Sequence, residues 1–520
     1  MCKGEETVKL DHESVLKRLE EVASAEYPYP RPEFIKPKDG SERIHLTSSK
    51  NLRPVLISMA LFLGKLIRPH LTILFGILAY FFRSAQCATV AVLCAGWVWM
   101  DDPFFLHHMT DGRLGGLGGG GRRDKIAKDG FFCKDSPRND RVRDVLAKFV
   151  GYRPTSYFCS GDLLTLMPFL LFKGSKGGKV PYKRYWVRVP AAPAPDGDDG
   201  PAKRPAGDNT DEAVALDVVF PSKGYRADKP TFLVLHGLNG GSTEPYVLDL
   251  ARRATKEGHA FAVMVNRGLM KTPLRGNDSF HGARTSDVGC AVDALLHALR
   301  GESTRQSSPV ESKIVMVGFS MGGIIAANYT AKSKGRSGLA GAVCFSGTLC
   351  SEKMLVDCPA AKHSLSVWQP ALAWGLKATI IKPQMPRFAR NAGITPRQVE
   401  DARTVVDIDS RLVCACHKYA EVRDYYEDMS AGGRGDDEGI QRLRGAAVPL
   451  LAVHAIDDPI AIYEVALADE IPKTENVMLL ATKHGGHIGW PTGMFPSVNR
   501  WGFMMDVAMD FAAAIVSDEE

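Results

Sequence analysis

The sequence lacks the features that would assign it to several large classes. Basic residues barely outnumber acidic ones, 65 against 59 for a formal charge of +6 over 520 residues, and no stretch interleaves basic with aromatic side chains. There is therefore no electrostatic footprint for nucleic acid. Eleven cysteines follow no repeated spacing and are odd in number, which excludes a complete disulfide framework. Cys414-Ala-Cys416-His417 is the one tight cluster, and without a second ligand pair at a defined distance it implies packing and no metal. The glycine runs at 115–121 and 174–178 have no preceding strand and no following G-K-[ST], so neither cradles a phosphate and no cofactor is expected. No histidine opens an H-x-x-x-x-D motif, which removes one signature of acyl transfer to lipid alcohols. The start, Met1-Cys-Lys-Gly-Glu-Glu, has no apolar core behind it and does not resemble a secretory signal.

What is present divides the chain. Residues 1–54 are polar and read as a solvated leader, with a short amphipathic helix over 12–25. At 55–100 the composition turns apolar, and 84–100 carries no charge, which marks a membrane segment. Arg83 interrupts the run and belongs near an interface, so one span, a hairpin or a monotopic insertion all fit, and the orientation stays open. A buried helical hairpin is the alternative. Residues 101–139 form a glycine-rich tether, and 140–520 form the globular domain.

Within that domain, 185–189 and 213–220 alternate like antiparallel strands, and after them short apolar runs at 231–235, 261–265, 313–317, 341–345, 449–454 and 477–482 are mostly separated by helix-length segments. This predicts an α/β fold with a mostly parallel eight-stranded sheet and helices on both faces. Residues 191–211, rich in Pro, Asp and Gly, read as a disordered loop, and the mixed segment 346–447 as a lid inserted before the seventh strand.

One stretch suggests chemistry. Gly318-Phe-Ser320-Met-Gly322 lies between an apolar strand and a helix, the pattern of a nucleophile elbow that exposes a serine hydroxyl at the carboxyl edge of a sheet. Such an elbow needs an oxyanion hole, an acid and a base in that chain order. His236-Gly-Leu-Asn-Gly-Gly241 follows the 231–235 strand and offers the amide of Leu238, to be joined by that of Met321. Asp457 and Asp458 both follow the 449–454 strand; Asp458 is preferred because Pro459 turns the chain there. His484 and His487 both follow the last strand, and His487 is preferred for its reach.

These residues resemble the membrane-anchored α/β-hydrolase-domain lipases and esterases, a family that includes yeast medium-chain fatty-acid ethyl ester synthase/esterases, plant embryogenesis-associated hydrolases and bacterial relatives. The resemblance covers residues 152 to the end. It rests on His236-Gly-Leu-Asn-Gly-Gly241 with Tyr246, Asn266-Arg-Gly268 with Thr272-Pro273, the elbow, Asp409 with Tyr425-Tyr426, Asp457-Asp-Pro459 and Gly485-Gly-His-Ile-Gly489. It implies the α/β-hydrolase fold, a Ser320–Asp458–His487 triad and an N-terminal membrane segment. Ile408 and Ile460 stand where the family usually has phenylalanine, and Gly161-Asp162 where it often has Gly-His, departures that touch substrate choice more than mechanism.

The expectation is a serine carboxylic-ester hydrolase on an intracellular membrane. It would act on acyl lipids or medium-chain acyl esters through an acyl-enzyme open to water or alcohol. The alternative is an inactive lipid- or protein-binding module on the same fold.

Overall fold

A computed structural model of the chain describes residues 12–30, 44, 46, 52–63, 128–158, 160–172, 178–191, 210–276, 281–300 and 313–516. Its centre is one sheet. The strands are β1 (Ala23–Ser24), β2 (Gly130–Phe132), β3 (Lys183–Val189), β4 (Glu212–Val219), β5 (Thr231–Leu235), β6 (Phe261–Val265), β7 (Ile314–Phe319), β8 (Gly341–Phe345), β9 (Leu450–Ala455) and β10 (Val477–Thr482). They lie in the order β1-β3-β4-β6-β5-β7-β8-β9-β10-β2. β6, β5, β7, β8, β9 and β10 pair in parallel, while β1, β3, β4 and β2 join antiparallel at the flanks.

The central strands read as unbroken apolar runs because each is covered on both faces. Alternate residues serve opposite cores. On β5, Leu233 and Leu235 pack with the helices His12–Val22, Ser286–Arg300 and Met321–Lys332, while Phe232 and Val234 pack with Pro137–Leu146, Pro245–Lys256 and Gly502–Val516.

The sheet departs from the expected eight strands, since the described residues hold ten. The additional strands, β1 and β2, have two and three residues, too few for a period to show in sequence. Over residues 12–24, β1 and the helix before it depart from the reading of 1–54 as a solvated leader. Val15 and Leu19, four apart on one helical face, are buried in the main core, Ala23 follows them into the sheet, and Glu20 pairs with Lys183 at 2.7 Å. Each buried side chain contributes about 1.5–3 kcal/mol, which outweighs the polar face. β2 lies in what the sequence marks as tether.

Of the expected membrane segment, residues 55–63 fall in a helix over 52–63, and 64–100 lie outside the described residues, as do most of the tether and of the 191–211 loop. Among the described residues no helix is long and apolar enough to cross a membrane.

Between β8 and β9 the chain is helical. The segments Pro359–His363, Gln369–Leu376 and Lys382–Ala392 are joined by wide turns at Ser364–Trp368 and Lys377–Ile381, each shortly before a proline that cannot donate to the helical ladder. The apolar faces of the stretch from Gln369 to Ala392 cover Ala215, Val265 and Leu269 at the carboxyl end of the sheet, and they reach Leu238 and Met321.

Candidate active site

Ser320 follows β7 at φ 53°, ψ −118°, a conformation costly for a residue with a Cβ. Its neighbours make the turn possible. A Cβ on Gly318 would lie 2.3 Å from the Gly322 carbonyl oxygen, and one on Gly322 would lie 2.1 Å from that of Leu235, so only glycine lets the helix Met321–Lys332 close on β7 and β5. The Ser320 amide donates to the Phe345 carbonyl at 2.8 Å, tying the elbow to β8. The hydroxyl is left pointing out.

Ser320, His487 and Asp458 form one hydrogen-bonded chain. His487 Nε2 is 2.8 Å from Ser320 Oγ, and Nδ1 is 2.8 Å and 3.1 Å from the carboxylate oxygens of Asp458. A carboxylate accepts only, so the imidazole proton rests on Nδ1 and the Nε2 lone pair faces the hydroxyl. Asp458 has no exposed side-chain surface. Its Oδ1 accepts from the amides of Ile460 and Ala461, both at 2.9 Å, which compensates burial of the negative charge.

Asp457 points elsewhere. Its Oδ1 accepts from the Gly486 amide at 2.9 Å, which braces the base of the histidine loop, and Oδ2 lies 3.4 Å from His484 Nδ1 with no hydrogen bond between them. Gly486 has φ 62°, and a Cβ there would meet Gly161 and Thr165 at 2.7 Å. Two further groups hold the loop: Thr165 Oγ1 accepts from the His487 amide at 2.8 Å, and Ser346 Oγ accepts from the Ile488 amide at 3.1 Å.

The loop after β5 lies against the elbow, for a Cβ on Gly237 would stand 3.5 Å from Ser320 Cβ. Its central peptide is pinned by groups to which the sequence assigned no task. Asn266 N–H donates to His236 Nε2 at 3.2 Å, which leaves the ring proton on Nδ1, and Nδ1 donates to the Gly237 carbonyl at 2.8 Å. Burial pushes the His236 pKa down to about 4, so the ring stays neutral in this role. Tyr246 Oη accepts from the Gly237 amide at 3.1 Å. Because a trans peptide holds C=O and N–H opposed, fixing the Gly237 oxygen also fixes the direction of the Leu238 N–H. Met321 occupies the first position of its helix, where the amide has no intrahelical acceptor.

His236, Asn266 and Tyr246 all stand within motifs quoted above, and that grouping was the available signal. Thr165 and Ser346 carry none, because a single threonine or serine in a loop has no pattern. Asp409 lies apart in the helical segment between β8 and β9, buried, accepting from Tyr426 Oη at 3.0 Å. Cys414 and His417, on the same stretch, are also buried. No group of three or more side chains suited to a metal occurs among the described residues.

Comparison with known proteins adds a family to the geometry. Residues 227–487, half of the chain, match the model Hydrolase_4, described as serine aminopeptidase, S33. The embryogenesis-associated protein EMB8 of Picea glauca is 28% identical over 270 residues, 51% of this chain and 54% of that protein. A monoacylglycerol lipase of Saccharomyces cerevisiae is 26% identical over 266 residues, 50% of this chain and 55% of that protein. The phospholipase ABHD3 of Mus musculus is 26% identical over 315 residues, 59% of this chain and 67% of that protein. The chain thus spans about half the length of the first two.

Proposed function

The chain belongs to the Hydrolase_4 family, and from that premise we propose that it is a serine carboxylic-ester hydrolase acting on acyl lipids or medium-chain acyl esters. The observation that carries the reading is the Ser320–His487–Asp458 hydrogen-bonded chain on a strained elbow.

In this reaction Ser320 Oγ attacks the ester carbonyl carbon as its proton passes to His487 Nε2. The negative charge that develops on the carbonyl oxygen is met by the amides of Leu238 and Met321, each worth about 100- to 1,000-fold in turnover. Asp458 stabilises the imidazolium and keeps its orientation. His487 then returns the proton to the departing alcohol, leaving an acyl-enzyme on Ser320. Water repeats the sequence and frees the acid, whereas a second alcohol, attacking in its place, leaves as a new ester.

An apolar acyl group is favoured by the surroundings of the oxyanion residues. Leu238 and Met321 pack with Met270, Leu376 and Ile380 where the lid meets the sheet. The names of the yeast and mouse relatives point the same way. The apolar run at 55–100 supports a further proposal, that the enzyme is anchored to the membrane where such esters reside.

The test is hydrolysis of p-nitrophenyl esters of increasing chain length by detergent-solubilised full-length protein. Turnover is expected to rise from acetyl toward medium chains and to vanish in Ser320→Ala. A folded wild type that releases no p-nitrophenol from any chain length would overturn the ester reading and favour a binding module.

A further inference from the structure

One span, a hairpin and a monotopic insertion all fit the apolar run at 55–100 as sequence, and the folded segments on either side of it separate them.

Before the run, the chain is already part of the catalytic domain. Ala23 and Ser24 pair with Val187 and Trp186 of β3. In the helix His12–Val22, Val15 and Leu19 are 1% exposed and share a core with Leu295 and Leu299 of the helix Ser286–Arg300. Beyond β1 the Tyr27 ring meets Trp186 edge-on at 4.9 Å, and the Arg275 guanidinium lies 4.1 Å from the centre of the Tyr29 ring. The helix over 52–63 is attached as well: Ser58 Oγ donates to the Val367 carbonyl, and Phe62 packs edge-on against Trp368.

After the run, the chain returns to the same sheet. Phe131 and Phe132 pair with Leu480 and Leu479 of β10, and Asn139 Nδ2 donates to the Glu475 carbonyl at 3.0 Å. β1 and β2 are thus the two edges of one sheet.

Neighbouring strands lie about 5 Å apart, and a hydrocarbon core of about 30 Å cannot come between them. A chain that leaves one sheet and rejoins it crosses a bilayer an even number of times. A single span is therefore excluded, since it would strip Val15, Leu19 and Ala23 from the core and β1 from β3.

Two crossings fail on length. Residues 64–127 lie outside the described residues, and their two long apolar stretches, 71–82 and 84–100, are separated by Arg83. Each crossing takes about 20 apolar residues, and both stretches are shorter. Arms this short would hold the charge of Arg83, at their turn, inside the hydrocarbon. Lying along the near interface instead, both stretches bury apolar side chains while the guanidinium reaches the headgroups.

We propose that the anchor is monotopic: residues 71–100 enter one leaflet and return, so that residues 12–63 and the catalytic sheet lie on the same face of the membrane. This rests on the anchoring proposed above and refines it.

The test uses the full chain with one epitope added before Met1 and another after Glu520, in sealed membrane vesicles from expressing cells. Extraction with alkaline carbonate examines the anchoring alone. The protein is expected to stay in the membrane pellet, and release into the supernatant would overturn the anchoring and the topology with it. Added protease is then expected to treat the two epitopes alike, removing both or sparing both until detergent opens the vesicles. Loss of one with survival of the other, in protein that resists carbonate, would overturn the topology and leave the anchoring standing.

Ser84→Cys, which keeps Arg83, separates a shallow insertion from two crossings. A membrane-impermeant maleimide, located by peptide mass spectrometry, is expected to reach residue 84 from the face on which the epitopes lie. Labelling from the opposite face only, or from neither face, would overturn the monotopic arrangement.

Discussion

Adjacent carboxylates at Asp457 and Asp458 face different histidines, and their separate tasks lead to separate phenotypes. Asp458→Asn would present an amide to His487 Nδ1 and favour the wrong tautomer, so kcat is expected to fall by about 10,000-fold with the fold retained. Asp457→Asn keeps an oxygen for the Gly486 amide and is expected to cost at most about tenfold. Steady-state kinetics on a soluble ester, beside circular dichroism, separates the two. His236 is a positioning residue of the same order. Without its ring the Gly237 carbonyl loses its donor and the Leu238 amide its fixed direction. His236→Ala is thus expected to lower kcat by about 10- to 100-fold while KM changes little. A rise in KM at constant kcat would show that the ring merely shapes the pocket.

At the scale of elements, the helical segment between β8 and β9 carries a group whose charge depends on pH. Asp409, at the start of the wide turn Asp409–Val413, is buried with Tyr426 as partner, and burial pushes its pKa up to about 7. An unfolded aspartate titrates near 4. Between about pH 4 and 7 the folded chain therefore holds a proton the unfolded chain has released, and stability from this group falls as the pH rises through that window. Asp409→Asn cannot charge. Its stability relative to wild type is expected to improve by up to a few kcal/mol across the same window and then level off, measured as urea midpoints at a series of pH values. A difference that does not vary with pH would place the Asp409 carboxyl in a hydrated setting.

The element scale also shows what sequence can carry. The central parallel strands were legible because burial on both faces forces continuous apolar runs, as Ile314, Val315, Met316 and Val317 of β7 illustrate, and β3 and β4 were legible from alternation. β1 was not legible: Ala23 and Ser24 hold no pattern, and the stripe of Val15 and Leu19 lies among charged residues. In the site, Ser320, Asp458 and His487 could be proposed because each follows a strand in a glycine- or proline-marked turn. Thr165 could not, since its role arises from the approach of a distant helix to the His487 loop and leaves no local trace.

For the whole molecule, one sheet brings these turns to a common edge. β5, β7, β9 and β10 run parallel or through parallel neighbours, so the loops of Leu238, Ser320, Asp458 and His487 all leave it on the same side, beneath the helices that precede β9. That convergence is the reason for assigning chemistry to Ser320 among all the serines of the chain. It is tested most directly by treating solubilised full-length protein with a fluorophosphonate and locating the adduct by peptide mass spectrometry. The account predicts a single phosphonylated serine, Ser320, with labelling abolished in Ser320→Ala and greatly slowed in His487→Ala. A folded wild type that takes up no label, or takes it up at another serine, would contradict it.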